Sequence, residues 1–173
     1  MNDSRTCFYP GRFQPLHNGH AAVIKTLTHR YEGLIIGISF AHVSHTLVNP
    51  FTGGERYQII KSFLASEQLL DRVDLVPIPG DPFLTTWVPF IRTIAPPFQV
   101  VYARSALIRN LFHYWSYETD DQLIERLTSG TAVRESMVKN ADWKALVPSI
   151  VAEEVVQLGG PERMVQLALG ERV

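Results

Sequence analysis

The sequence predicts an α/β fold in which helices cover both faces of a mainly parallel sheet. Two observations indicate this class. Short apolar segments rich in Val, Ile and aromatic residues alternate with segments of helical periodicity. In addition, no internal repeat, low-complexity tract or linker interrupts the chain. Because 173 residues with 46% hydrophobic content suit one core better than two, we expect a single domain over residues 1–173.

Four apolar segments are predicted to be buried strands, because each is short, rich in β-formers and bounded by Gly, Pro or charged residues. They lie at residues 6–9, 33–40, 72–78 and 98–102. The segment 113–121 is the least defined and leaves room for one further strand.

Helical periodicity fills the intervals between these strands. The predicted helices lie at residues 19–30, 54–70 and 85–94, and the chain becomes mainly helical after about residue 105, with helices at 148–156 and 162–169. A regular strand–helix succession is typical of right-handed βαβ units, which form parallel sheets.

Composition restricts the classes of partner and compartment. A formal net charge of -1 provides no overall basic field for nucleic acid or an anionic membrane. The N-terminus has no basic segment followed by an apolar core, and no apolar run approaches the roughly 20 residues of a membrane helix. Together with a single cysteine, Cys7, these features predict a cytoplasmic protein without nucleic-acid or membrane partners.

The segment YPGRFQPLHNGH, residues 9–20, joins the first predicted strand to the first predicted helix. In a parallel α/β sheet, ligands bind outside the carboxyl ends of the strands, so this turn is a candidate phosphate site. Gly11 allows close backbone approach, and Arg12 can pair with phosphate oxygens. His17 and His20, three residues apart at a helix N-terminus, can point at one anion.

Three other interpretations compete for the two histidines. A zinc site would need a third ligand at a recognisable spacing, which the sequence does not offer. An ordinary surface or core position is the usual role of an isolated histidine, and spacing alone favours it. A variant phosphate loop is the third, although GxxxxGK[ST] and GxGxxG are both absent.

Four sequence blocks in order resemble a known family. GRFQPLHNGH at 11–20 resembles the first signature of the HxGH nucleotidyltransferase superfamily, in the form found in archaeal-type nicotinamide-nucleotide adenylyltransferases. SHTLVNPFTGGER at 44–56 and WVP at 87–89 are similar to two further blocks, and TSGTAVR at 128–134 is similar to the second signature, ISxTxxR. The blocks span residues 8–137, and weaker similarity continues to about residue 165.

The resemblance implies a Rossmann-like sheet and a single-step reaction. An acceptor phosphate attacks the α-phosphorus of a nucleoside triphosphate in line, and pyrophosphate leaves. Catalysis of this kind depends on positioning and on charge stabilisation. The resemblance assigns His17, His20 and Arg134 as catalytic residues. It places Gly11, Arg12, Phe13, Gly19, Ser129, Thr131 and Arg134 around the triphosphate, with Ser129 and Thr131 capping a helix that begins near residue 131.

The resemblance also implies the acceptor and the metal. Trp87 would stack on the nicotinamide ring, and His45 would contact the acceptor phosphate. Mg²⁺ would arrive with the triphosphate and take no protein side-chain ligand, because neither signature holds a carboxylate pair. Trp115 and Trp143 are expected to be packing residues, Glu55 and Arg56 to open or brace a helix, and the protein to form a homo-oligomer.

Three positions depart from the family pattern. Ser39 and Phe40 replace a Gly-Ser pair, Val48 replaces a basic residue, and residues 103–105, ARS, replace a Gly-Asn pair. Arg104 or Arg109 would compensate for lost phosphate contacts. The main hypothesis is synthesis of NAD and pyrophosphate from ATP and nicotinamide mononucleotide. The departures leave open a cytidylyltransferase acting on another phosphate or phosphonate, and a third possibility is a non-catalytic nucleotide-binding regulator.

Overall fold

A five-stranded parallel sheet forms the centre of the molecule. The computed structural model describes residues 3–80, 84–122, 124–125 and 127–170. The strands are β1 (Asp3–Gly11), β2 (Tyr31–Ile38), β3 (Val73–Pro77), β4 (Val100–Val101) and β5 (Glu118–Thr119). Their order is β3-β2-β1-β4-β5, and all pairings are parallel. The strand order reverses between β1 and β4, which is where Rossmann-like sheets open a ligand crevice at their carboxyl edge.

Helices follow the strands and then dominate the C-terminal part. They are α1 (Asn18–Arg30), α2 (Gly53–Ser66), α3 (Leu84–Ile94), α4 (Ala106–Tyr114), α5 (Gly130–Val138), α6 (Ser149–Gln157) and α7 (Gly160–Ala168). Short 3-10 turns lie at Leu70–Arg72 and Lys144–Leu146. The predicted α/β fold is confirmed. β5 is the additional strand that the sequence analysis allowed within residues 113–121.

The core lies on both faces of the sheet. Along β1, Cys7 and Tyr9 belong to one buried cluster, whereas Phe8 belongs to the other. This alternation follows from the two-residue period of a strand. The first cluster packs against α1, α2 and the C-terminal helices, and the second against α3 and α4. Trp143 is buried in the first cluster, and Trp115 packs against the second.

Two elements end at least two residues earlier than the sequence predicts. α2 stops at Ser66, four residues before the expected end, because Gln68 adopts a left-handed φ of 58° and Leu69 N donates to Leu64 O at 2.8 Å. β2 stops at Ile38, because Phe40 has a φ of 54° and turns the chain. None of the helices in the described part of the chain combines the length and apolar character that crossing a bilayer requires.

Candidate active site at the carboxyl edge of the sheet

The turn between β1 and α1 places the two histidines face to face. His17 is the N-cap of α1, and its Nδ1 accepts a hydrogen bond from His20 N at 3.3 Å. The two imidazole rings stack with centroids 3.7 Å apart and an interplanar angle of 24°. At Gly19, a Cβ would lie 3.0 Å from the His17 ring and 3.1 Å from Thr128 O. A side chain at this position would require His17 or the backbone of residue 128 to shift, so glycine permits the close approach of residue 128 to α1.

His20 has a ring nitrogen that is enclosed by the protein and makes no hydrogen bond to the described part of the chain. Burial lowers the pKa of His20 well below the usual histidine value, and the neighbouring His17 lowers this pKa further. Its ring lies 4.5 Å from that of Phe13, centroid to centroid. Within the described residues, the buried Nδ1 of His20 has no hydrogen-bond partner. A buried polar atom without a partner is costly, so this nitrogen is suited to bind a ligand.

The start of α5 brings the second signature against the first. Ser129 is the N-cap of α5 and accepts from Ala132 N at 3.2 Å. Arg134 donates from Nη1 to Gln14 O at 2.9 Å, which ties α5 to the turn after β1. Its Nη2 donates to Thr131 Oγ1 at 3.3 Å. The expectation that both Ser129 and Thr131 cap the helix is therefore wrong for Thr131, because Thr131 lies in the first turn and its hydroxyl accepts from Arg134.

A cavity of about 310 Å³, here called the basic cavity, lies between α1 and α5. Its wall includes the two histidines, the first turn of α5 and three arginines, namely Arg12, Arg104 and Arg134. Burial lowers the pKa of Arg134, and the positive charge of Arg12 lowers it further. No Asp or Glu is present among the described residues of this wall. Concentrated positive charge without a carboxylate favours a polyanionic ligand.

A second cavity of about 330 Å³, here called the aromatic cavity, lies beside the first. Trp87, Phe40 and Ile108 contribute to its wall, together with Ser39 and Gly80. Trp87 in the first turn of α3 is only 6% exposed, so its ring is part of the core and of the cavity wall at once. Such a surface fits a flat aromatic ring.

The two cavities meet in front of β1. Four residues belong to both walls, namely Tyr9, Arg12, His20 and Arg104. They come from the carboxyl ends of β1 and β4 and from the first turn of α1. Two ligands that occupied the cavities together would therefore approach each other beside the imidazole of His20.

Some predicted positions lie outside both cavities. His45 is exposed on the segment between β2 and α2, and its Nδ1 lies 2.8 Å from Ser44 Oγ. Val48, 46% exposed on the same segment, also lines neither cavity. His42 Nδ1 accepts from Gly80 N at 3.0 Å and supports the rim of the aromatic cavity. The acceptor-binding role of His45 stays a prediction.

Glu55 and Arg56 brace a helix, as the sequence predicts. Glu55 completes a capping box at the start of α2 by accepting from Thr52 N at 2.8 Å. It also forms a two-contact ion pair with Arg163 of α7, at 2.8 Å for each contact. The motif at the start of α2 is thus tied to the C-terminal helices.

Arg56 has a larger structural role than sequence reasoning assigned to it. Its side chain is fully buried and donates to Arg12 O at 2.9 Å, Ser39 O at 2.7 Å and Phe40 O at 2.8 Å. Its Nε also donates to Thr52 O at 3.2 Å. Burial lowers the pKa of Arg56 to about 10. These contacts exist because the loops after β1 and β2 converge around Arg56. The periodicity of the sequence could not predict them.

Across the described ranges, no group of three or more His, Cys, Asp or Glu side chains is placed to hold a metal ion. Since the charged side chains of the described basic-cavity wall are all arginines and no carboxylate lies among them, the wall fits an anion and does not fit a hard divalent cation by itself.

Known proteins similar to this chain include one matching family and several relatives that share one name. Residues 8–136 match the cytidylyltransferase-like family. The chain is 39% identical over 163 residues to nicotinamide-nucleotide adenylyltransferase from Picrophilus torridus, covering 93% of this chain and 96% of the relative. It is 37% identical over 159 residues to the Methanococcus aeolicus protein of the same name, covering 91% of each chain.

One solved structure supports the fold. It is a bifunctional NMN adenylyltransferase/ADP ribose pyrophosphatase from Francisella tularensis, complexed with AMP and a manganese ion. The TM-score is 0.78 at 18% identity, with 96% of this chain and 52% of that chain covered. The present chain thus spans about half of the Francisella protein, and at this identity the likeness concerns the fold.

Proposed function

This chain belongs to the cytidylyltransferase-like family and, within it, to the nicotinamide-nucleotide adenylyltransferases, and from that membership we propose that it makes NAD. In this reaction, an oxygen of the phosphate of nicotinamide mononucleotide attacks the α-phosphorus of ATP. The bond from that phosphorus to the oxygen bridging to the β-phosphate breaks, and pyrophosphate leaves. The chain is thus a nucleotidyltransferase.

The observation that carries the proposal is the junction of two unlike cavities at His20. The basic cavity, with its arginines and histidines and no carboxylate in its described wall, takes the triphosphate of ATP. The aromatic cavity takes the acceptor, and Trp87 stacks on its nicotinamide ring. With both substrates in place, the acceptor phosphate and the α-phosphate lie beside each other at the junction, as in-line attack requires.

His20, His17 and Arg134 are the proposed catalytic residues. His20 Nδ1 has no partner within the described residues and lies at the junction, so it is assigned to the oxygens of the α-phosphate and its leaving bridge. His17 holds the His20 backbone and stacks on its ring, which fixes the imidazole before substrate binds. Arg134 is held by Gln14 O and neutralises charge on the departing pyrophosphate.

The remaining triphosphate contacts come from backbone and small side chains. Gly19 lines the basic cavity, whereas Gly11 lines the aromatic cavity beside Arg12. A Cβ on Gly11 would lie 2.8 Å from the Phe13 ring, so glycine there permits close packing of the turn. The N-terminus of α5, with Ser129 and Thr131, presents amides to the β- and γ-phosphates. Phe13 packs against His20, and Arg12 supplies an exposed guanidinium at the junction.

A divalent ion completes the substrate and is not a resident cofactor in this proposal. The described wall of the basic cavity has no carboxylate, so the ion, Mg²⁺, enters bound to the triphosphate. It offsets phosphate charge there. A cytoplasmic location, a homo-oligomeric state and the lack of nucleic-acid and membrane partners stay predictions, as does the single domain over residues 1–173.

The direct test is pyrophosphate release by the purified protein with Mg²⁺, crossing ATP and CTP with nicotinamide mononucleotide and with no acceptor. The product is identified by mass. We expect NAD from ATP. Turnover of CTP without NAD formation would favour the cytidylyltransferase alternative, and tight nucleotide binding without pyrophosphate release would favour a regulator.

The variant His20→Ala tests the site. Because it removes a donor aimed at developing charge, we expect kcat to fall roughly 100- to 1000-fold, while the urea unfolding midpoint shows that the protein remains folded. His20→Asn serves as a second variant if alanine weakens the fold. His113→Ala, an exposed change on α4 outside both cavities, is the matched control. A near-normal rate in folded His20→Ala would reject the catalytic assignment.

A further inference from the structure

Arg104 stands at the junction of the two cavities although it belongs to none of the catalytic positions assigned above. It follows β4, the strand beside β1 on the other side of the crevice. Tyr102 and Ala103 are buried, whereas the side chain of Arg104 is exposed and lines both the basic and the aromatic cavity. A ligand that crosses from one cavity to the other therefore passes its guanidinium.

The backbone under Arg104 is fixed in place. Arg109 Nη1 donates to Ala103 O and to Arg104 O, both at 2.8 Å. Arg109 Nε in turn pairs with Asp121 Oδ1 at 3.3 Å. Of the two arginines that could compensate for lost phosphate contacts, Arg109 is thus committed to the loop. Arg104 is the one whose side chain reaches the cavities.

The guanidinium of Arg104 is oriented but not neutralised. Its Nη1 donates to Ile124 O at 2.9 Å, and within the described part of the chain its Nε and Nη2 make no further hydrogen bond. Within the described ranges, no carboxylate lies at ion-pair distance from it. An arginine with one anchored nitrogen and a free two-donor edge is suited to bind a phosphate, because its planar geometry matches two phosphate oxygens.

The position of Arg104 relates it to the acceptor more than to the triphosphate. Its neighbours Ala103 and Ser105 line the aromatic cavity but not the basic one. Arg12, the other arginine shared by both cavities, is close enough to Arg134 for its charge to lower the pKa of that residue. On this basis Arg12 and Arg134 belong to the triphosphate side, and Arg104, with Ala103 and Ser105, belongs to the acceptor side.

The segment between β2 and α2 supplies no competing cation. His42, His45 and Val48 of this segment line neither cavity. The cationic or imidazole side chains of the described aromatic-cavity wall are Arg12, His20 and Arg104. Since Arg12 is assigned with Arg134 to the triphosphate, Arg104 is the cation of the described aromatic-cavity wall that is left for a doubly charged acceptor phosphate.

We propose that Arg104 binds the phosphate of the acceptor nucleotide and positions it for attack on the α-phosphorus of ATP. This inference rests on the proposed function and adds a substrate-binding residue to it. It predicts that Arg104 distinguishes a phosphorylated acceptor from the same nucleoside without phosphate, because the guanidinium contacts only that group.

The test compares Arg104→Met with the wild-type protein by titration calorimetry, using nicotinamide mononucleotide and its nucleoside, which lacks the phosphate. We expect the substitution to weaken binding of the nucleotide roughly tenfold to a hundredfold, as for loss of a charge-assisted hydrogen bond, and to leave nucleoside binding unchanged. Arg104→Lys is expected to recover part of the loss. Arg92→Met, an exposed arginine on α3 outside both cavities, is the matched control.

Steady-state kinetics provide a second readout that does not depend on weak nucleoside binding. The KM for nicotinamide mononucleotide is expected to rise in Arg104→Met, while the KM for ATP stays near the wild-type value. A rise in the KM for ATP instead, an equal loss for nucleotide and nucleoside, or no change at all would each overturn the assignment. Failure of the wild-type protein to form NAD would reject the proposed function itself, so the two failures are distinguishable.

Discussion

Replacing Arg56 with methionine should weaken both the fold and the acceptor site. The buried guanidinium joins the loop after β1, through Arg12 O, to the loop after β2, through Ser39 O and Phe40 O. Methionine fills part of the volume but donates nothing, so these carbonyls lose a charged donor. Each such hydrogen bond contributes about 1.5–3 kcal/mol, whereas the removed charge no longer has to be buried, which offsets part of the loss. We expect a net destabilisation of about 2–4 kcal/mol.

Urea denaturation with linear extrapolation measures this change, and a fall in Tm of roughly 5–15 °C should accompany it. Because Ser39 and Phe40 line the aromatic cavity, the KM for nicotinamide mononucleotide should rise as well. Arg72→Met is the matched control, since Arg72 also donates to backbone carbonyls, those of Tyr31 and Glu32, but lies away from the cavities. Equal stability and KM in Arg56→Met and wild type would refute the reasoning.

Two further predictions concern the aromatic wall and the histidine. Trp87→Leu should raise the KM for nicotinamide mononucleotide by a factor that corresponds to about 1–3 kcal/mol of lost stacking, without a matching change in the KM for ATP. Trp143→Leu, in the other core cluster, is the control and should affect stability alone. Equal KM values for the acceptor in Trp87→Leu and wild type would exclude stacking. The pKa of His20 is lowered in the free protein, and the negative charge of a bound triphosphate must raise it. ATP binding should therefore take up a proton at pH values between the pKa of the free protein and that of the complex. ATP affinity should rise as the pH falls through the same range. Calorimetry in buffers of different ionisation enthalpy measures the uptake, and an equal uptake in His20→Asn would exclude His20 as its source, since the titration of ATP itself is common to both proteins.

Much of the fold was predictable because alternation of apolar strands and amphipathic helices is a local property of the chain. The ends of the helices and strands were less predictable. Gln68 ends α2 in a left-handed conformation, and glutamine carries no signal for that conformation, in contrast to glycine. The length of β5 likewise depends on pairing with β4 rather than on its own sequence. Local patterns therefore gave the elements, and long-range contacts set their ends.

At the site, the sequence predicted the histidine pair but not the contacts of the arginines. The spacing of His17 and His20 placed both on one face of a turn at the sheet edge, and the structure has them stacked there. Spacing alone could not relate Arg134 to Gln14, since 120 residues separate them, and only the resemblance linked the two signatures. Neither the spacing nor the resemblance indicated that Arg56 is buried, because the loops after β1 and β2 have to converge before its carbonyl partners lie together.

The arginines around the site can be ordered by how many of their donors the protein already occupies. Arg56 gives its donors to four backbone carbonyls, so it can position loops but has little capacity left for a phosphate. Arg134 has one nitrogen on Gln14 O and one on Thr131 Oγ1, which fixes its plane before substrate arrives. Arg104 has one anchored nitrogen, and Arg12 is exposed.

Because ordering a flexible side chain costs free energy on binding, Arg134 is the preorganised contact, whereas Arg12 and Arg104 must order as the two substrates enter. Lysine substitution should therefore be tolerated least at Arg56, where a single ammonium cannot span the converging loops, and best at Arg104, where one charge near one phosphate retains part of the contact.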